Sequence, residues 1–337
     1  MSDHQKDNTI LNVDRLNTWF FTRAGIVKSV RDVSFSLKKG EVLGIVGESG
    51  SGKSVTGMSI MGLIEPPGRI VSGSITFQGT ELTTLSFDEM RRYRGRRIAM
   101  IFQNPLMTLN PVLTIRDQMF EAISEHDNVP KKDLEARALE ALKAVGIPSP
   151  EERLSRYPHE FSGGMRQRIV IAIALLHNPD LIIADEPTTA LDVSIQAQII
   201  HKMRELIDGM GRAMIWVSHD IATLSELSDR IMVMYAGAVM ETGTTAEIIS
   251  APRHPYTVKL LESLPSRNVP GKPLKQIQGN MPSLIDIGPG CPFRSRCERA
   301  LDACSEPVEV SAMSATHFVS CRNPHDASEN KHAGAAE

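Results

Sequence analysis

Residues 42–64, VLGIVGESGSGKSVTGMSIMGLI, confine the chain to a narrow set of folds. The apolar run from Val42 to Val46 has the content of a buried strand, a glycine-rich turn follows it, and a helix opens near Lys53. The turn has the form G-x-x-x-x-G-K-S over Gly47, Glu48, Ser49, Gly50, Ser51, Gly52, Lys53 and Ser54. Its glycines let successive backbone N–H groups face inward as a cradle for phosphate oxygens, and the helix start adds positive potential. Lys53 is placed to reach β and γ phosphates and Ser54 to ligate Mg2+. Strand, loop and helix in this order point to an α/β fold that binds a nucleotide.

A second apolar run, LIIADEPTTALD, reads as a buried parallel strand ending in Asp185 and Glu186. Asp185 would hold Mg2+ and Glu186 would polarise the water that attacks the γ phosphate. Alone, such a pair could equally cap a helix or line a solvated corner; beside a phosphate loop the catalytic reading is preferred. Between the two lies EFSGGMRQRIVIAIALLHNPD, in which Met165, Ile169, Ile173 and Leu176 recur at helical spacing. Ser162, Gly163 and Gly164 therefore sit at a helix N-terminus, a further anion site. Lacking a lysine or carboxylate, it can complete a nucleotide site but not make one.

In order along the chain, GESGSGKS, Gln103 in IFQNP, FSGGM, LIIADEP, Asp192 in ALD and His219 in WVSHD resemble six motifs of the ATP-binding subunits of ABC transporters. These are the phosphate loop, Q-loop, signature, acidic strand, D-loop and switch histidine. The signature departs from the commoner L-S-G-G-Q at Phe161 and Met165 but keeps its serine and glycines. The resemblance covers roughly residues 10 to 264. It implies an α/β, ABC-type P-loop ATPase with a mostly parallel core sheet, an antiparallel β subdomain that includes Gly73 to Gly79, and a helical subdomain at about 111–162. Independently, KKDLEARALEALKAVG fits an exposed helix ending at Gly146. The resemblance also implies that Gln103 senses Mg2+ and the γ phosphate, that His219 holds the attacking water, and that an upstream aromatic stacks on adenine. Phe20 is the choice, with Trp19 and Phe21 left open as neighbours. In this family the signature of one subunit covers the ATP held by another. With one copy of each motif, the active unit is expected to be a dimer.

FQNPLMTLNPVLTI, HPYTVKLLESLP and the cysteine stretch GCPFRSRCERALDAC with HFVSC resemble the oligopeptide/dipeptide (peptide/nickel) importer branch. The expected organisation is a nucleotide-binding domain over 1–264, an importer-type extension over 265–325 and a disordered tail over 326–337. All four cysteines, Cys291, Cys297, Cys304 and Cys321, fall in the extension, with five, six and sixteen residues between them. Those spacings are wider than zinc-knuckle pairs, and four thiolates suffice for a cubane cluster. Some members of the branch carry one, so a [4Fe–4S] cluster is expected, with zinc or unliganded thiols as alternatives. The Pro- and Gly-rich run before the cysteines has little regular structure to bury, and such an extension needs a staple.

Composition limits the partners. Lys plus Arg number 37 and Asp plus Glu 40, for a formal charge of −3, which gives no field to gather nucleic acid. The polar start MSDHQKDNTI is unlike a secretory signal, and the longest apolar run, IVIAIALL, is far too short to span a membrane. RRYRGRR reads as a solvated face. The family architecture implies two membrane permeases, a second and paralogous ATP-binding subunit, an extracytoplasmic solute-binding protein, and a peripheral place on the cytoplasmic face of the inner membrane. Import of di- or oligopeptides is the expected role. Nickel, glutathione, opines or sugars remain alternative cargoes, and a soluble ABC ATPase of translation or DNA repair is the remote rival.

Overall fold

A computed structural model describes residues 8–189, 191–209, 211–268, 273, 275–285 and 287–326. Of the tail expected over 326–337, all but Asp326 lies outside the described residues. The chain divides into two compact units, each assembled from three segments of sequence. One unit comprises Thr9–Leu37, Val42–Thr83 and the described part of Val217–Glu337; the other comprises the described parts of Met1–Asn8, Lys38–Glu41 and Thr84–Trp216.

The first passage lays down β1 (Thr9–Thr22), β2 (Gly25–Lys38), β3 (Val42–Val46), α1 (Lys53–Ile60), β4 (Gly68–Phe77) and β5 (Thr80–Glu81). The second unit follows with α2 (Phe87–Arg91), β6 (Ile98–Ile101), α3 (Pro105–Thr108), α4 (Ile115–Ser124), α5 (Lys131–Ala144), α6 (Pro150–Arg153), α7 (Gly163–Leu175), β7 (Leu181–Asp185) and α8 (Val193–Asp208). β8 (Ala213–Ser218) carries the chain back, to α9 (Ile221–Leu227), β9 (Arg230–Tyr235), β10 (Ala238–Thr244), α10 (Thr245–Ser250), α11 (Pro255–Glu262), β11 (Ser311–Ala312) and β12 (Phe318–Val319).

In the first unit β2, β1, β4 and β5 form a four-stranded sheet in that order, with β4 antiparallel to both β1 and β5. Gly73 to Gly79 falls largely on β4. A second sheet runs β11, β12, β10, β9, β3, with β3 and β9 parallel and the others antiparallel. β3 is buried throughout, as expected of a parallel strand covered on both faces. In the other unit β6 and β7 are parallel and β7 is likewise buried along its length.

The helices of 115–153 belong to that second unit. α5 ends where predicted, with Gly146 in the left-handed region at φ 73. It is amphipathic rather than exposed all round: Leu134, Ala138 and Leu142, spaced by four, are buried. The described residues of the Pro- and Gly-rich run form no strand or α-helix, but farther on the extension does gain a strand. β12 pairs with β10 through Glu241↔Val319 and Thr242↔Phe318, so the segment after the third cysteine joins a sheet edge.

Candidate functional site

In the first unit the phosphate loop links β3 to α1. Two of its glycines have steric reasons to be there. A Cβ at Gly47 would lie 2.1 Å from the Met234 carbonyl oxygen, and one at Gly52 would lie 2.3 Å from that of Ser29. Gly52 also precedes α1 at φ 99, where a side chain would be strained. The loop is drawn so tightly against β9 and β2 that its N–H groups have little freedom to reorient. Lys53 is 4% exposed, and its ammonium donates to the carbonyls of Gly47 at 2.8 Å and Glu48 at 3.1 Å. Ser49, Gly50, Ser51 and Ser54 complete the turn, whose closure includes a Ser51 N–H donated to the Glu48 carbonyl at 3.1 Å.

Phe20 lies on β1 opposite Gly68, its ring so close that a Cβ at Gly68 would be 2.5 Å from Phe20 Cε1. Its neighbours face cations: Lys28 Nζ is 5.2 Å from the Trp19 ring and the Arg69 guanidinium 4.4 Å from that of Phe21. His219 is exposed just beyond β8. Next to it Asp220 caps α9, accepting from Ala222 N at 2.9 Å, which fixes the backbone that presents the histidine.

The other unit holds Gln103, Asp185, Glu186, the signature and Asp192. Asp185 ends β7 and is 5% exposed. Glu186 follows at φ 46, a left-handed backbone that is costly for a residue with a Cβ. Its Oε2 accepts from the Gln103 amide at 3.1 Å and from the Thr189 hydroxyl at 3.0 Å. Gln103 and Glu186, 83 positions apart in sequence, are thus brought into direct contact. Ser162 caps α7 through Met165 N at 3.3 Å, as its place before the two glycines predicts. Gly164 is small for a local reason as well, because a Cβ there would meet Ile195 of α8 at 2.8 Å. Asp192 caps α8, accepting from Ile195 N at 3.0 Å and from the Ser194 hydroxyl at 2.7 Å.

The four cysteines are unpaired in disulfides. Burial, with the neighbouring thiolates Cys297 and Cys304 adding to it, pushes the Cys291 thiol up to about 11. Burial and the other three cysteines push Cys321 up to about 12, and burial likewise raises Cys297. Burial thus disfavours the thiolate at Cys291, Cys297 and Cys321, and a cationic group would be needed to hold them in that form. Among the described residues no group of three or more His, Cys, Asp or Glu is arranged to hold a single metal ion. A lone zinc would need four sulfurs within about 3.8 Å of one another, from Zn–S bonds of ~2.3 Å.

Residues that the motifs did not reveal also touch the phosphate loop. The Glu48 N–H donates to the Tyr256 hydroxyl at 3.0 Å, and the Glu48 carboxylate pairs with Arg296 at 2.8 Å. Tyr256 lies in HPYTVKLLESLP, so that branch-like segment was a usable signal. For Arg296, 248 positions away from its partner, sequence spacing offers none.

Residues 30–189 match the family described as ABC transporter, and residues 240–304 the oligopeptide/dipeptide transporter C-terminal region. The chain is 48% identical over 314 residues to the dipeptide transport ATP-binding protein DppD of Bacillus subtilis, covering 93% of this chain and 94% of that protein. It is 42% identical over 320 residues to the oligopeptide transport ATP-binding protein OppD of Escherichia coli, covering 95% of each. Among solved structures it is similar to a post-hydrolysis dimer of the ATP-binding cassette MJ0796 bound to ADP and Pi. That match has a TM-score of 0.64 at 27% identity and covers 70% of this chain and 99% of the other.

Proposed function

The chain belongs to the ABC transporters, among the ATP-binding subunits of their dipeptide and oligopeptide branch, and from that premise we propose that it hydrolyses ATP to power uptake of di- or oligopeptides. One observation carries the catalytic part. At the end of buried β7 the Glu186 carboxylate sits on a strained backbone and is oriented by Gln103 and Thr189, the arrangement wanted of a group that must meet one water in one direction.

In this mechanism Lys53 exchanges the carbonyls of Gly47 and Glu48 for β and γ phosphate oxygens, and the N–H groups from Gly50 to Ser54 cradle the rest. The buried Asp185 carboxylate and the Ser54 hydroxyl, with Gln103, are oxygen donors that suit Mg2+, which when bound neutralises phosphate charge. Glu186 takes the proton of the attacking water, and His219 holds that water and the γ phosphate. Phe20 stacks on the adenine. Ser162, Gly163 and Gly164 of a second subunit close over the nucleotide, and Asp192 joins that contact. Nucleotide charge favours closure and hydrolysis releases it, so a two-state clamp does the work.

Among the described residues no helix is long and apolar enough to cross a membrane; in the proposed assembly, permease subunits supply the path. Two permeases, a paralogous second ATP-binding subunit and an extracytoplasmic binding protein complete the assembly, with this chain on the cytoplasmic face. Four cysteines in one short extension have the number of thiolates a [4Fe–4S] cluster takes, and such a cluster, with zinc as the alternative, is the proposed staple of the extension. Iron and acid-labile sulfide in anaerobically purified protein test that part, and zinc without sulfide would reverse it.

The test of function is ATP hydrolysis by the reconstituted transporter, with binding protein charged by peptide or left empty. Stimulation by peptide is expected. Stimulation by nickel or glutathione alone would displace the peptide reading, and absence of hydrolysis with every cargo would remove the ATPase.

A further inference from the structure

We propose that Arg296, in the cysteine-bearing extension, is a positioning residue for the phosphate loop, acting through Glu48; this rests on the ATP-binding reading of that loop. The Arg296 side chain is 5% exposed. Its Nη1 donates to Glu48 Oε2 at 2.8 Å and Oε1 at 3.1 Å, and to the Tyr235 hydroxyl at 3.0 Å. Nη2 and Nε donate to the carbonyls of Ile277 at 3.1 Å and Gln278 at 2.8 Å. The rings of Tyr235 and Phe293 lie 5.7 and 5.8 Å from the guanidinium carbon. The fork is therefore held by the extension's own backbone and Phe293 together with Tyr235 of β9, and it points one rigid cation at the loop.

Glu48 passes that restraint to the nucleotide side. Its carboxylate is fixed by Arg296, its N–H by Tyr256, and its carbonyl accepts from Lys53 at 3.1 Å and from Ser51 N at 3.1 Å. A shift of Glu48 must move the carbonyl that Lys53 uses. The extension touches the loop independently at Gly50, where an added Cβ would lie 2.8 Å from Met281 Cε. It is fastened beside the loop by Lys28 N donating to the Leu284 carbonyl at 3.1 Å and Arg31 Nη2 to that of Gly288 at 3.0 Å. Arg296 directly precedes Cys297, so whatever holds the cysteines also sets the fork. The extension is a strut of the nucleotide site.

The test is a double-mutant cycle on the full-length chain with Mg2+ and a fluorescent ATP analogue, together with KM and kcat in the permease complex. Arg296→Gln should retain a cooperative melt while weakening nucleotide binding by about tenfold, since the half-buried Glu48 carboxylate loses the guanidinium that fixes it. KM for ATP should rise by a similar factor with kcat less changed, because the loop binds phosphates in ground and transition states alike. Glu48→Gln should lose a similar amount, and the double variant little more than either single. Arg296→Lys should recover only part, because an ammonium cannot span Glu48 and two carbonyls at once. If Arg296→Gln does not fold, Glu48→Gln decides the matter with the extension intact. Either single variant binding nucleotide as wild type does, or losses that add in the double, would overturn the proposal. Wild type that bound no ATP would overturn the ATPase reading as well, which separates the two failures.

Discussion

At the scale of single residues the chemistry reduces to where two charges are held. Glu186 occupies a left-handed backbone, and its carboxylate is oriented from two sides. Glu186→Gln keeps shape and hydrogen bonds but cannot take a proton. ATP should still bind while turnover falls by about 10²–10⁴-fold, read as nucleotide affinity against phosphate release. Turnover at the wild-type rate would remove Glu186 as the base. Lys53→Ala should lose nucleotide affinity itself, because the cation that meets the phosphates is gone. Both residues were legible in the sequence, since each lies in a run whose neighbours dictate its local structure. The strain at Glu186 and its bonds to Gln103 and Thr189 were not, because φ is set by how β7 leaves its sheet.

At the scale of elements, α10 shows how the extension is tied down. Thr244 and Glu247 form a capping box, and the Ser314 and Thr316 hydroxyls donate to the same carboxylate at 2.7 and 3.0 Å. Burial pushes Glu247 up, but the bonds from Ser314, Thr244 and Thr316 outweigh it and hold the carboxyl down at about 2. An acid whose folded pKa lies below its unfolded value stabilises the protein above the unfolded pKa and loses that contribution as pH falls through the folded one. The stabilising effect should disappear between about pH 4.5 and 2, amounting to about 1–2 kcal/mol once solvent screening is allowed for. Denaturation curves across that range should flatten in Glu247→Gln. A second tie is deeper: His317 pairs at 2.6 Å with Glu241, which is 1% exposed. His317→Ala leaves that carboxylate with the Arg253 and His254 N–H groups and, by removing a buried hydrogen bond, should cost about 2 kcal/mol in chemical denaturation. Helix starts at Lys53 and Gly163 were readable from cap and spacing. The pairing of β12 with β10 was not, since two-residue strands carry no periodicity and gain their stability from distant partners.

At the scale of the whole molecule, one chain carries a phosphate loop, an acidic strand end and a signature helix start once each, and the proposed mechanism therefore has a second subunit close over the nucleotide. Motif order made the fold class legible, because those motifs occur together on one architecture. The anchoring of the cysteine extension on Glu48 escaped the sequence, as Arg296 is an ordinary arginine until folding brings it across 248 positions. In the proposed assembly the permeases and binding protein, not this chain's nucleotide site, select the cargo. The most direct measurement is therefore uptake of a labelled dipeptide into proteoliposomes holding the assembled transporter, followed alongside phosphate release. Uptake that requires ATP, rises with hydrolysis and disappears with it in Lys53→Ala is predicted; hydrolysis that runs at full rate while no peptide crosses, or peptide that crosses unchanged in Lys53→Ala, would contradict the account.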